Sequence, residues 1–199
     1  MSDLSAFVLA GGKSTRMGQD KAFLRVGNES LLNCALRVAG TVTENVCIVG
    51  AQDKFNGFDR VVVEDLFPDR GPLGGIHAAL CSTTSELNLV LAVDMPLVNG
   101  DFVRFLVNQS RESGATVTVP AAGGGLQPLC AVYRKEFADR AGESLRAGRN
   151  KIDPLFTNTK TRIVTEDELT QAGFSAEIFR NVNTPEELEL AKRVASDLI

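Results

Sequence analysis

Apolar residues gather in short runs that do not alternate with polar ones, at residues 6–9, 46–49, 60–63 and 87–93. A strand apolar at successive positions presents hydrophobic side chains to both faces of its sheet, as strands covered by helices on both sides do. Between the runs the spacing changes. Leu31, Leu32, Ala35, Leu36 and Ala39 recur at helical intervals, as do Ile76, Ala79 and Leu80 behind Pro72. The alternation reads as βαβ units around a mostly parallel sheet. Further along, residues 116–119 and 129–133 are expected strands, and residues 101–111 and 135–146 expected helices.

The clearest helix signal lies near the carboxyl end. Thr184-Pro185-Glu186-Glu187 supplies an N-cap hydroxyl, a proline in the first turn and a carboxylate three residues after the cap. Leu188, Ala191, Ala195 and Leu198 then share one face, which predicts docking onto the sheet.

Composition narrows the class. At 199 residues and 44% hydrophobic content, the chain closes a core without staples. The expected fold class is therefore α/β, a single three-layer α/β/α domain with a mostly parallel central sheet. A net charge of -4 gives no overall attraction to nucleic acid or to an anionic membrane, so cations for an anionic ligand must be gathered locally. Four cysteines, at 34, 47, 81 and 130, form no C-x-x-C pair and have no histidine cluster beside them. They are expected to be buried thiols in a reducing compartment. The start, Met-Ser-Asp-Leu-Ser, lacks the basic and apolar parts of a signal peptide, and no run approaches the ~18 apolar residues of a membrane span. A cytoplasmic location is the expectation.

The chemistry concentrates after the first strand, in Leu9-Ala10-Gly11-Gly12-Lys13-Ser14-Thr15-Arg16-Met17-Gly18-Gln19-Asp20-Lys21. Ligands of open α/β sheets sit beyond the carboxyl ends of the strands, and glycine lets backbone N–H groups approach a phosphate. Gly12-Lys13-Ser14 imitates the end of a P-loop, but that motif requires glycine at position 7, which is Phe. The dinucleotide fingerprint fails as well, because Gly11 and Gly12 are adjacent and the next glycine is Gly18. What remains is a loop with Lys13, Arg16 and Lys21 close together, a set suited to a triphosphate.

Two apolar runs end in acid. Glu64-Asp65 follows the third and Asp94-Met95-Pro96 the fourth. In a parallel sheet both carboxylates reach the edge that carries the basic loop, where a magnesium ion bridging phosphate oxygens is held by one or two carboxylates. Asp94 is the leading metal ligand. Gly71-Pro72-Leu73-Gly74-Gly75 reads as a tight turn into a helix whose amide end faces an anionic group or a base. His77, the one histidine, has no partner cluster and is expected to take a satisfied packing or surface role rather than a catalytic one.

Taken together, the glycine-rich loop, Glu64-Asp65, G-P-L-G-G, D-M-P and Asn181-Val182-Asn183-Thr184-Pro185 resemble the bacterial molybdenum cofactor guanylyltransferases over nearly the whole chain. The resemblance implies a Rossmann-like nucleotidyltransferase fold, with a nucleotide-binding half at about residues 1–100 and an acceptor-binding half at about 101–199. It also implies transfer of GMP from GTP to the phosphate of molybdenum-bearing molybdopterin, with release of pyrophosphate and a need for Mg²⁺. Leu9, Ala10, Gly11, Gly12, Lys21, Gly50, Asp65, Gly74 and Asp94 would contact the nucleotide. Lys13, Arg16, Lys21 and Asp94 would carry the catalysis, and Asp94 the metal. Asn181, Asn183 and Gln127 would face the acceptor. Transient contact with cofactor-delivering proteins or molybdoenzymes is compatible with such a role. In one departure, Gly50 stands where the family often has Asn, which removes a side-chain contact to the nucleotide. The rival readings are a cytidylyl- or sugar-phosphate nucleotidyltransferase of the same fold, a non-catalytic nucleotide-binding or assembly protein, and a nicotinamide dehydrogenase.

Overall fold

The computed structural model describes residues 3–11 and 20–196, with only the backbone of 194–196. The first half runs through β1 (Leu4–Leu9), a 3₁₀ turn (Lys21–Phe23), the hairpin β2 (Arg25–Val26) and β3 (Glu29–Ser30), and α1 (Leu31–Ala39). It continues with β4 (Val46–Val49), α2 (Gln52–Phe55), β5 (Val61–Val63), α3 (Pro72–Ser82) and β6 (Leu87–Ala92). The second half adds α4 (Gly100–Ser113), β7 (Val117–Ala122), β8 (Gly125–Leu126), β9 (Cys130–Arg134) and α5 (Phe137–Arg146). It ends with α6 (Asp153–Phe156), β10 (Thr161–Val164), α7 (Glu166–Gln171), a 3₁₀ turn (Ala176–Phe179) and α8 (Pro185–Ser196).

One sheet takes strands from both halves in the order β10-β7-β9-β6-β1-β4-β5, with β8 paired to β7. β4, β5 and β6 join β1 in a parallel block, and β10 is parallel to β7. β9 runs antiparallel between β6 and β7. That strand stitches the halves together, since its amino end lies beside the carboxyl end of β6, with Cys130 opposite Leu91.

Alternate residues of the strands feed two cores. Ala6 and Val8 face one side, with Leu32 of α1, Val103 of α4 and Leu169 of α7. Phe7 and Leu9 face the other, with Ile76 and Leu80 of α3, Phe137 of α5 and Phe156 of α6. β1 and β6 are buried along their whole length, the arrangement their largely apolar, non-alternating runs predict, with Ser5 and Asn88 buried among them. The run at 60–63 departs from this. Its strand β5 is the sheet edge and Val61 is 66% exposed, because nothing pairs with its outer side among the described residues. The expected docking of the last helix is met by Leu188 and Ala191, which join the first core beside Val26 of the hairpin. The side chains of Ala195 and Leu198 lie outside the described residues.

Two further expectations need correction. Cys34 and Cys130 are buried, but Cys47 is half-buried and Cys81 exposed, so not all four thiols are core residues. Burial raises the thiol pKa at each, to about 12 for the fully enclosed Cys130. His77 is buried and meets the ring of Phe67 edge-on at 5.1 Å. It is not fully satisfied, for Nδ1 has no hydrogen-bond partner among the described residues while Nε2 lies 3.5 Å from Cys81 Sγ.

Among the described residues no helix is long and apolar enough to cross a membrane.

Candidate active site

The register of the parallel block decides where the chemistry gathers. Leu9 is flanked by Val49 and by Ala92, and Val49 in turn by Val63. The residues that follow these strand ends, Ala10-Gly11, Gly50, Glu64-Asp65 and Val93-Asp94, therefore leave the sheet along one edge. Backbone bonds extend the pairing past the strands: Ala10 N–H donates to Val49 O (2.9 Å), Gly50 N–H to Val63 O (3.0 Å) and Val93 N–H to Leu9 O (3.1 Å). Gln127-Pro128-Leu129 reaches the same edge, where Ala92 N–H donates to Leu129 O (2.7 Å). Gln127 itself donates through Nε2 to Ala122 O (3.1 Å).

Lys21 opens a 3₁₀ turn held from both sides. Asp20 caps the turn by accepting from Ala22 N–H (3.1 Å), and its other carboxylate oxygen pairs with Lys54 Nζ (2.9 Å). So held, Lys21 sends its ammonium to Asp94 Oδ2 at 3.1 Å and to Asn183 Oδ1 at 2.6 Å. The lysine and aspartate side chains are 19% and 22% exposed, so the pair is only partly hydrated. Val182 N–H donates to the carbonyl of Asp94 (2.8 Å), which fixes the segment carrying Asn181 and Asn183 against the aspartate. Asn181 Oδ1 is buried without a partner among the described residues.

Asp65 occupies a second position on the same edge. Its carboxylate accepts from Phe67 N–H (2.8 Å) and lies against the first turn of α3, so close to Gly74 that a Cβ there would stand 2.5 Å from Oδ2. Only glycine admits that approach. Burial raises the Asp65 carboxyl pKa, opposed by the Phe67 bond and by the nearby His77. A partly buried carboxylate whose Oδ2 has no hydrogen bond among the described residues, at the amino end of a helix begun by Pro72, suits a hydroxyl or N–H donor from a ligand. Gly50 has no room for a side chain: a Cβ would stand 2.6 Å from Cε2 of Phe55, whose buried ring packs with Phe23 and Phe58. A Cβ on Gly11 would lie 3.7 Å from Gly50 Cα, so the two glycines adjoin as a stretch of bare backbone.

The sequence reading is thus brought together at Leu9, Ala10, Gly11, Lys21, Gly50, Asp65, Gly74, Asp94, Asn183 and Gln127, all on one edge. Gly12, Lys13 and Arg16 lie outside the described residues. Not foreseen were the bond from Lys21 to Asn183, the tether from Asp20 to Lys54 and the ring of Phe55 behind Gly50. Asp20 and Lys54 carried a faint signal in their opposite charges; the other two had none. A cavity of about 630 Å³ bounded by Ser5, Val46, Cys47, Arg60 and Ser85 opens at the opposite, amino-terminal ends of the strands, away from Asp94.

Among the described residues no group of three or more His, Cys, Asp or Glu could hold a metal by itself. A magnesium ion asks less of the protein, since it keeps waters and takes one or two carboxylates together with substrate phosphates. Asp94, a partly exposed hard oxygen donor beside a cation, fits that mode of binding.

Comparison with known proteins agrees with the fold. Residues 6–163 match the model of the MobA-like NTP transferase domain. A relative in Pelotomaculum thermopropionicum, named "Probable molybdenum cofactor guanylyltransferase", is 40% identical over 202 residues, covering 99% of this chain and 96% of its own. Another in Syntrophotalea carbinolica, named "Molybdenum cofactor guanylyltransferase", is 32% identical over 95% of this chain and 90% of its own. In structure, the chain resembles molybdopterin-guanine dinucleotide biosynthesis protein A from Archaeoglobus fulgidus, with a TM-score of 0.85 and 24% identity over 97% of this chain and 99% of that one.

Proposed function

The chain belongs to the MobA-like NTP transferase family, and on that premise we propose that it transfers GMP from GTP to the phosphate of molybdenum-bearing molybdopterin, releasing pyrophosphate. The observation that carries this reading is the meeting of Lys21, Asp94 and Asn183 at the sheet edge where the glycine-rich loop begins.

The acceptor phosphate oxygen attacks the α-phosphorus in line. One P–O bond forms as the bond between the α-phosphorus and its bridging oxygen breaks, and the electron pair leaves with pyrophosphate. An ionised phosphate needs no general base, so the protein acts by positioning and by meeting charge. Asp94 would hold Mg²⁺, which supplies charge neutralisation on the phosphate oxygens when bound. Lys21, with Lys13 and Arg16, would meet the charge that develops on the leaving group. The bare backbone at Gly11 and Gly50 leaves room for the nucleoside to lie close to the sheet edge, and Asp65, kept in place by Gly74, offers it an acceptor. Asn183 and Gln127 face the acceptor side.

Calorimetric titration with GTP, CTP, ATP and UTP in the presence of Mg²⁺ tests the reading. GTP should bind at least ~10-fold more tightly than the others, a gap of about 1.4 kcal/mol. Preference for CTP would move the assignment to a cytidylyltransferase of the same fold.

A further inference from the structure

Helix capping explains part, but not all, of what Glu187 does. In an ordinary capping box the N-cap hydroxyl accepts from the N3 N–H, and the N3 carboxylate accepts from the N-cap N–H. Both bonds are present: Glu187 N–H to Thr184 Oγ1 (3.2 Å) and Thr184 N–H to Glu187 Oε2 (3.0 Å). The same Oε2 also accepts from Asn183 N–H at 2.6 Å, one residue before the cap. That third bond adds nothing to the helix ladder. It fixes the backbone of the residue whose side chain receives Lys21 at 2.6 Å, while on the other side Val182 is tied to the carbonyl of Asp94.

We propose that Glu187 is a positioning residue for Lys21, acting through Asn183, so that the first turn of α8 sets the lysine that serves the transfer. The inference rests on the function proposed above for its consequence in turnover, but not for its geometry. A lysine side chain with four rotatable bonds reaches many positions, and a fixed acceptor selects one of them. Glu187 provides that fixity from beside the helix start, where its negative charge is favoured.

Three variants separate positioning from helix stability. Thr184→Ala removes half of the capping box and leaves the bond to Asn183. Glu187→Ala removes the other half of the box, the bond from Thr184 N–H, together with the bond from Asn183 N–H, and Glu187→Gln retains an oxygen able to accept from Asn183. At matched loss of melting temperature, Glu187→Ala should lower kcat by at least ~10-fold, since small misplacement of a reacting group is costly. Thr184→Ala should stay within about 3-fold of wild type and Glu187→Gln should recover most of the loss.

A second readout needs no turnover: acylation of Lys21 by an amine reagent, followed by mass spectrometry, in the ligand-free protein. Lys21 should react several-fold faster in Glu187→Ala and at the wild-type rate in Thr184→Ala. Equal Lys21 reactivity in all the variants, or equal losses of kcat in Glu187→Ala and Thr184→Ala, would overturn the proposal. If the wild type lacks transfer activity altogether, the function fails, while the labelling still decides the role of Glu187.

Discussion

Lys21 Nζ stands 3.1 Å from Asp94 Oδ2, although 73 positions separate the two residues. The register of β1 and β6, with Leu9 beside Ala92, puts Asp94 at the edge where β1 ends, and Lys21 meets it there. Such a pair joins a fixed cation to a candidate metal carboxylate on the edge where ligands of α/β sheets bind. Replacing either group should cost ~10²–10³ in turnover, the usual loss on deleting one preorganised electrostatic group. Lys21→Ala and Asp94→Asn, assayed for pyrophosphate release after circular dichroism has verified folding, check this. Turnover near the wild-type rate in either would remove that residue from the mechanism.

A side chain at Gly74 is expected to cost ligand binding rather than the fold. In Gly74→Ala the new Cβ would meet the Asp65 carboxylate at 2.5 Å, within the range that forces one of them to move. The carboxylate has the freer end, so the fold should survive while the ligand acceptor is displaced. Titration should show GTP binding weakened ~10-fold or more, in keeping with loss of a hydrogen bond to a charged group, with melting changed by only a few degrees.

Gly50 fails for another reason. The obstacle there is the buried Phe55 ring, which the aromatic cluster prevents from swinging away. Gly50→Asn should therefore destabilise by about 1–3 kcal/mol, the typical cost of overpacking. Thermal melting measures it. An unchanged melting temperature would show that the cluster yields.

These two glycines mark the limit of what could be read from the sequence. The runs at β1, β4 and β6 were legible because strands buried on both faces are mostly apolar at successive positions, with Ser5 and Asn88 the buried polar exceptions. Asp65 and Asp94 were legible as acids at the ends of such runs. The ring behind Gly50 was not, because close approach between non-neighbouring residues leaves no periodic trace. The same holds for Asn183 receiving Lys21 from 162 positions away. β8 and β10 escaped notice because a two-residue strand has no pattern to detect, and Thr161-Arg162-Ile163-Val164 mixes polar and apolar residues at a sheet edge. β9 read correctly as a strand, yet its antiparallel direction depends on the turn before it rather than on its own residues.

Asp65 should show function at the expense of stability. Burial raises its carboxyl pKa in the folded state, so folding favours the protonated form. Its contribution to stability is complete below the unfolded-state pKa and is lost as pH rises through the raised value, leaving a partly buried charge at neutral pH. Asp65→Asn should therefore melt at or above the wild-type temperature at pH 7 and lose that advantage under acid conditions, while binding GTP less tightly. Melting curves from pH 3 to 8 check the first part; an Asn variant less stable than wild type at pH 7 would contradict it.

Glu168 behaves in the opposite sense. The Arg162 guanidinium, at 2.6 Å, and the Thr165 N–H hold its carboxyl pKa at about 2. A depressed carboxylate stabilises the fold above its unfolded value, and the contribution is lost as pH falls from about 4.3 towards about 2. Because the pair is partly exposed, its worth is reduced by solvent. In Glu168→Gln the acid limb of the stability profile should be shallower across that window, and a limb as steep as in wild type would show that other carboxylates dominate.

The most direct measurement follows pyrophosphate release from GTP with and without molybdenum-bearing molybdopterin, in the presence of Mg²⁺, using the intact protein and its Asp94→Asn variant. The account predicts one pyrophosphate formed per guanylylated acceptor, dependence on the acceptor, and loss of ~10²-fold or more in the variant. Pyrophosphate release that ignores the acceptor, or that persists undiminished without the Asp94 carboxylate, would contradict it.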